Sequence, residues 1–165
     1  MDEETNHVLY QADGVKVAKC RAYAKVNLAL GILGKRQDGY HEISTLMVPV
    51  KISDLVTVKA IPQGFKVFCP ELPDLPQQEN LAYKAAEAFV KSLGISAGFE
   101  ITIEKSIPPA KGLGGGSSDA AAVLLAMKSL VKKTDRCTFG DLDLDTNLLL
   151  SIASQLGSAV PFFIG

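Results

Sequence analysis

The sequence predicts an α+β domain, and two observations carry this prediction. Extended segments with period-two alternation come first along the chain, and strands and helices then alternate, an order typical of α+β folds. The 165 residues, of which 47% are hydrophobic and 21% charged, suffice for one domain with its own core. We expect residues 1–18 to form an N-terminal leader or an extra strand, and residues 19–165 to form the domain.

The extended segments begin near Ala18. There, polar residues alternate with an apolar face made of Ala22, Ala24, Val26, Leu28 and Leu30. Residues 34–39 are charged and bounded by glycine, which predicts a turn. Two further extended runs are expected at residues 43–50 and 55–60, and a short strand at 64–69. A proline-spaced loop follows at residues 70–78.

Three helices are expected in the second half. Asn80 is a candidate N-cap for the first, which ends at Gly94 and carries an apolar stripe of Leu81, Ala85, Ala88 and Phe89. A strand at residues 99–105 leads into a glycine-rich segment. The second helix follows this segment, with Ala120, Val123, Leu124, Met127 and Leu130 on one face. The third spans roughly residues 146–156, before Gly157.

Composition excludes several classes of function. Seventeen basic and eighteen acidic residues give a net charge of -1, which argues against a nucleic-acid-binding face. Two histidines are too few for a histidine-rich zinc site. Three scattered cysteines favour a reducing compartment, the bacterial cytoplasm or a plastid stroma. The N-terminus is acidic and the chain contains no apolar run of 18 residues, so we expect no signal peptide and no membrane partner.

Four glycines fall within residues 112–116, between a predicted strand and a predicted helix. Clustered glycines let main-chain N–H groups approach an anion at a helix N-terminus, which predicts a phosphate site. Ser117 and Ser118 would add hydroxyl groups for phosphate or Mg²⁺. The alternative is a flexible turn with either serine as a helix cap. Asp119 taken alone is better explained by a favourable position on the helix dipole.

The glycine segment lacks the Walker A and dinucleotide-binding patterns. It does match P-x-x-x-G-L-G-[GS]-[GS]-S-[SA], and so resembles the loop of the GHMP kinases. Three further blocks occur in order: Ala-Lys-Val-Asn-Leu at 24–28 with Gly-Lys-Arg-Gln-Asp-Gly-Tyr-His-Glu at 34–42, Glu-Asn-Leu-Ala-Tyr-Lys-Ala-Ala at 79–86, and Gly-Ser-Ala-Val-Pro-Phe-Phe at 157–163. Together they resemble the 4-diphosphocytidyl-2-C-methyl-D-erythritol kinases of that superfamily.

This resemblance implies a fold and a reaction. The fold would be an ATP-binding N-terminal lobe of the ribosomal-protein-S5-domain-2-like type, a mixed sheet with helices on one face, over residues 19–165. The reaction would be ATP-dependent phosphorylation of the 2-hydroxyl of 4-diphosphocytidyl-2-C-methyl-D-erythritol, in non-mevalonate isoprenoid synthesis, with ATP and Mg²⁺ as cofactors. Family members continue into a second lobe, which we expect this chain to lack.

The resemblance also assigns roles to individual residues. Lys25 would lie beside the transferring phosphoryl group, Asn27 would bind substrate, and Tyr40 and His41 would bind its cytidine. Without the resemblance, an exposed lysine, an aromatic packing residue and a capping histidine would be the expected roles. The implied ATP phosphate site is Pro109, Lys111, Gly112, Leu113, Gly114, Gly115, Gly116, Ser117 and Ser118, with Ser118 also contacting Mg²⁺.

One position departs from the family pattern. Ala159 stands where the family has an aspartate proposed to accept the hydroxyl proton or to position Lys25, and losing a positioned base costs about 10²–10⁴-fold in rate. Two alternatives therefore stay open: a non-catalytic nucleotide-binding remnant, and another small-molecule kinase of the superfamily. The apolar segment at residues 160–164, if exposed, would favour a homodimer.

Overall fold

We describe a computed structural model, in which residues 6–10, 16–35, 41–132 and 145–165 are described. Its five-stranded sheet has the order β1-β2-β3-β5-β4. The strands are β1 Asn6–Tyr10, β2 Lys16–Lys35, β3 His41–Ile61, β4 Phe65–Phe68 and β5 Gly98–Glu104. Only the β4–β5 pair is parallel among these pairings, so the sheet is mixed, as predicted. Strand β1 falls within the predicted leader, while the boundary at residue 19 stays a prediction.

The helices pack on one face of the sheet, as the α+β prediction requires. They are α1 Leu81–Leu93, α2 Gly115–Lys132 and α3 Thr146–Leu156, followed by a 3₁₀ turn at Pro161–Phe163. Strand β2 shows which face they cover, because Ala18, Cys20 and Ala22 are buried while Lys19 and Arg21 are exposed. Within the described residues, no helix is both long and apolar enough to span a bilayer.

Local sequence signals place α1 correctly. The Asn80 side-chain oxygen accepts a hydrogen bond from the Ala82 N–H at 2.9 Å, and Gly94 adopts a left-handed conformation with φ 62°. Helix α2 begins at Gly115, earlier than expected, so Ser117 and Ser118 lie inside its first turn rather than before it. It is also buried nearly all round, because it lies between the sheet and α1. The single apolar face predicted for α2 is therefore too narrow.

Two predictions for the strands are wrong. The two separate runs expected at residues 43–50 and 55–60 form one strand, β3. Lys51 and Ile52 form a bulge within it, since Tyr23 pairs with Ser53 and the next residue, Ala24, pairs with Val50. The apolar face predicted for β2 ends after Ala24, and Leu28 is 66% exposed. Leu28 is itself the extra residue of a second bulge, beyond the part of β2 that the helices cover.

Candidate functional site

The glycine-rich loop has a backbone suited to binding an anion. Ala110, Gly112 and Gly114 have positive φ values of 57°, 70° and 74°, a conformation that only glycine adopts without strain. The first ladder bond of α2 runs from the Ser118 N–H to the Gly114 carbonyl at 2.8 Å. The N–H groups of the three preceding residues therefore have no partner in the helix ladder, and they lie at its positive end.

Close packing explains two of the loop glycines. A Cβ atom at Gly114 would lie 3.0 Å from Lys25 Cγ and from Phe163 Cζ, and one at Gly115 would lie 3.1 Å from Ile107 Cγ2. At Gly112 and Gly116 a Cβ atom would meet no atom within 4 Å. The loop is thus closely packed at Gly114 and Gly115, while open space for a ligand remains beside Gly112 and Gly116.

Lys25 joins strand β2 to this loop. Its main-chain N–H donates to the Leu113 carbonyl at 2.9 Å, and its Nζ donates to Asn27 Oδ1 at 3.2 Å. The residue is 8% exposed, with its side chain across Gly114, whereas Asn27 is exposed. The structure therefore brings Lys25, Asn27 and the glycine loop together.

A cleft of about 380 Å³ opens beside the loop, and Lys25 and Asn27 are not among the residues that line it. Residues 107–117 line it along the loop. Cys69, Leu72, Leu75 and Leu81 supply the apolar part of the opposing wall, which also includes Glu79 and Asn80. Lys105 and Asp119 lie at its base. The cleft therefore combines an anion-binding backbone with an apolar wall, as a ligand with phosphates and a flat base requires.

Three buried charged side chains support the loop from below. Lys105 Nζ donates to Asp54 Oδ2 at 2.5 Å and to Asp119 Oδ2 at 2.7 Å. Asp54 Oδ1 accepts the N–H groups of Ser106 and Ile107 at 2.5 and 2.8 Å. Asp119 Oδ1 is, within the described part of the chain, the buried side-chain polar atom that lacks a hydrogen-bond partner.

Burial and mutual attraction act in opposite directions on this cluster. Burial raises the pKa of Asp119 to about 7, although the Lys105 ammonium lowers it. Burial would lower the pKa of Lys105, but its interactions with Asp119 and Asp54 outweigh this, and the pKa is raised. One ammonium thus serves two carboxylates, and Asp119 is the less well compensated of them.

The remaining predicted site residues are distributed as follows. Pro109 and Lys111 are exposed at the cleft rim. Ser117 lines the cleft, whereas Ser118 is 2% exposed, so the predicted Mg²⁺ contact at Ser118 stays a prediction. Tyr40 lies outside the described residues, and of His41 only the backbone, at the start of β3, is described.

Ala159 precedes Val160, which is fully buried. Pro161, Phe162, Phe163 and Ile164 are half-buried. The segment expected to be an exposed apolar patch is thus largely packed against the domain, with the Phe163 ring close to Gly114. The homodimer stays a prediction.

Sequence reasoning missed Asp54 and Lys105. Asp54 lies inside β3 and Lys105 directly follows β5. The contacts of Lys105 with Asp54 and Asp119 span 51 and 14 positions in sequence, so no local motif marks them. The one available signal was Asp54, a charged residue within a β-branched strand. In sequence it looks like an ordinary exposed polar residue, although it is buried.

Comparison with known proteins agrees with this geometry. A family model described as the GHMP kinases N terminal domain matches residues 80–164, just over half of the chain. A protein of Methylacidiphilum infernorum named 4-diphosphocytidyl-2-C-methyl-D-erythritol kinase is 42% identical over 87% of this chain and 47% of its own length. The protein of the same name from Desulfitobacterium hafniense is 46% identical, over 86% of this chain and 44% of its own length.

Solved structures give the same assignment. A crystal structure of 4-(cytidine 5'-diphospho)-2C-methyl-D-erythritol kinase superposes with a TM-score of 0.71 at 40% identity, covering 88% of this chain and 48% of that one. A mevalonate kinase, at 17% identity and a TM-score of 0.58 over 85% of this chain and 45% of its own, shares the fold. The chain spans about half the length of the curated relatives it matches. It belongs to the GHMP kinases, and the part it carries is their N-terminal domain.

Proposed function

We propose that this chain is the nucleotide-binding part of an ATP-dependent small-molecule kinase. Its acceptor would be the 2-hydroxyl of 4-diphosphocytidyl-2-C-methyl-D-erythritol. The observation that carries the proposal is the position of Lys25, whose side chain crosses Gly114 beside the N-terminus of α2. Relatives at 42% and 46% identity bear the name of this kinase.

The geometry suits phosphoryl transfer. Unpaired N–H groups at the start of α2 would bind phosphate oxygens, and the Lys25 ammonium would stabilise charge that develops on the transferring group. Asn27 holds that ammonium through its Oδ1 and has an exposed amide that can bind substrate. The cytidine group would be bound by Tyr40 and His41, as the family resemblance implies.

Mg²⁺ would be held chiefly by the nucleotide. Within the described residues, no group of three or more His, Cys, Asp or Glu side chains could bind a metal ion. The Ser117 hydroxyl at the cleft, together with the Ser118 hydroxyl, is the expected protein contact. When bound, the ion would neutralise charge on the phosphate oxygens.

Ala159 supports a second candidate function, nucleotide binding without turnover. An alanine has no group that can take the proton from the acceptor hydroxyl. We expect Ala159→Asp to raise the rate of phosphoryl transfer by about 10²-fold or more if the rest of the site is competent. The measurement is ADP release with 4-diphosphocytidyl-2-C-methyl-D-erythritol and Mg-ATP. Ala159→Ser is the matched control, because serine adds a polar group without a carboxylate. No gain with aspartate would favour the binding function.

Thermal unfolding tests nucleotide binding directly. A ligand at 100 times its Kd stabilises a protein by about 2.7 kcal/mol, which raises Tm by roughly 5–10 °C for a chain of this size. We expect such a rise with Mg-ATP and a smaller one for Gly114→Val, which forces a side chain against Lys25 and Phe163. Cytidine diphosphate should add a further rise, whereas homoserine and mevalonate should not. An unchanged Tm with Mg-ATP would contradict the proposal.

Thiol labelling tests whether the nucleotide binds in the cleft. Cys69 lines the cleft and is half-buried, whereas Cys20 is buried and burial raises its pKa to about 12. At pH 8 we expect iodoacetamide to modify Cys69 much faster than Cys20, and Mg-ATP to slow modification of Cys69. Peptide mass mapping separates the sites. Labelling of Cys69 at the same rate with and without nucleotide would place the nucleotide elsewhere.

A further inference from the structure

Asp54 lies where the ladder between β3 and β5 ends. The last pair is Leu55 with Glu104. Beyond it, the Asp54 carboxylate takes the place of a strand partner and accepts the N–H groups of Ser106 and Ile107. This buried side chain therefore fixes the direction in which the chain leaves the sheet and starts the glycine loop.

Lys105 connects the start of the loop to its end. Its ammonium bridges Asp54 on β3 and Asp119 on α2. The loop residues 108–114 thus run between two points that one side chain holds together. Residues 108–112 are exposed, and the left-handed conformation at Ala110 is strained, so this stretch needs support from its ends.

Charge excludes a simpler role for Lys105. Although the residue lies at the base of the cleft, two carboxylates already engage its ammonium. The cluster as a whole offers no net positive charge to a phosphate. Attraction of the anion must therefore come from the N–H groups of α2, from Lys25 and from Lys111 at the cleft rim.

We propose that Asp54, Lys105 and Asp119 are positioning residues that hold the glycine loop in its ligand-binding conformation before the ligand arrives. This inference rests on the proposed nucleotide site, and none of the three residues needs to contact the nucleotide. A loop ordered in advance loses less conformational entropy on binding, so the cluster contributes to affinity.

The test compares Asp119→Leu, which removes the acceptor from Lys105, with Asp119→Asn, which keeps an acceptor of the same shape. Leu149→Ala is the control, since this core residue of α3 destabilises the domain without lining the cleft. Calorimetry gives the Kd of Mg-AMP-PNP at a temperature where circular dichroism shows each variant folded. We expect roughly tenfold weaker binding for Asp119→Leu, rescue to within about threefold by Asp119→Asn, and no change for Leu149→Ala.

Several outcomes would overturn the inference. Wild-type affinity in folded Asp119→Leu would do so, as would an equal loss in Leu149→Ala, which would indicate general stability instead. If Asp119→Leu does not fold, hydrogen exchange of the wild-type chain decides. Protected amides of Ser106, Ile107 and Ser118 before nucleotide is added support the inference, and protection only afterwards overturns it. A wild-type chain that binds no nucleotide refutes the proposed function as well, whereas binding without any variant effect removes this inference alone.

Discussion

Asp54→Ala should lower the free energy of unfolding by about 3 kcal/mol, which corresponds to a fall in Tm of roughly 6–12 °C. The substitution leaves the N–H groups of Ser106 and Ile107 without their acceptor, and Ile107 is itself 1% exposed. Lys105 retains Asp119, so part of the cluster survives and limits the loss. Urea unfolding of the wild-type and variant chains measures the difference.

Asp74→Ala is the matched control for this prediction. It removes the same side chain from an exposed position in the proline-spaced loop, so we expect a change within about 0.5 kcal/mol. A loss for Asp54→Ala no larger than that for Asp74→Ala would mean that the buried carboxylate does not stabilise the start of the loop.

Asp119→Asn should remove a pH dependence of stability. The folded pKa of Asp119 is about 7 and its ordinary value is 3.8, so between these values the folded chain holds a proton that the unfolded chain has released. Raising the pH across this window removes that proton from a buried group. The wild-type chain should therefore lose stability relative to Asp119→Asn from about pH 4 to about pH 7, by at most about 1.4 kcal/mol per pH unit, with little change above pH 7.

Urea unfolding at four pH values from 5 to 8 measures this difference. Asp145→Asn is the control, because hydrogen bonding to Asn147 lowers the pKa of the exposed Asp145 carboxyl. Its titration therefore lies below this pH range, and the difference between wild-type and Asp145→Asn chains should stay constant from pH 5 to 8. Stability contributed by Asp145 is present above its unfolded pKa and is lost as the pH falls. A difference between wild-type and Asp119→Asn chains that stays constant from pH 5 to 8 would contradict the prediction.

Features with a local cause were predictable from sequence. The caps of α1 depend on residues within a few positions of each helix end, and both Asn80 and Gly94 act as expected. The glycine loop was recognisable because Gly112 and Gly114 occupy left-handed backbone and Gly115 lies against Ile107. Such constraints act on single positions and require particular residue types there, so they are visible in the sequence.

Features with a distant cause were not predictable in this way. The interruption seen at Lys51 and Ile52 is a bulge, and only the partner strand reveals that β3 continues through it. Leu28 is likewise exposed because the helices do not pack on this part of β2. The alternation of polar and apolar residues along β2 gives no information about where that packing ends. The cluster of Asp54, Lys105 and Asp119 joins a strand, a strand end and a helix, and its members look like ordinary surface charges in sequence.

The two bonds made by Lys25 have separate consequences for how this site could change over time. Its bond to the Leu113 carbonyl uses the main chain, so any residue except proline at this position can retain the attachment of the loop to β2. Its contact with Asn27 uses the side chain and requires the ammonium. On the proposed function, a substitution at residue 25 that removes the ammonium would lower the rate of phosphoryl transfer, while the main-chain bond would still attach the loop to β2. In this GHMP kinase domain, the attachment of the loop to β2 thus depends on main-chain atoms of residue 25, whereas the contact with Asn27 depends on its side chain.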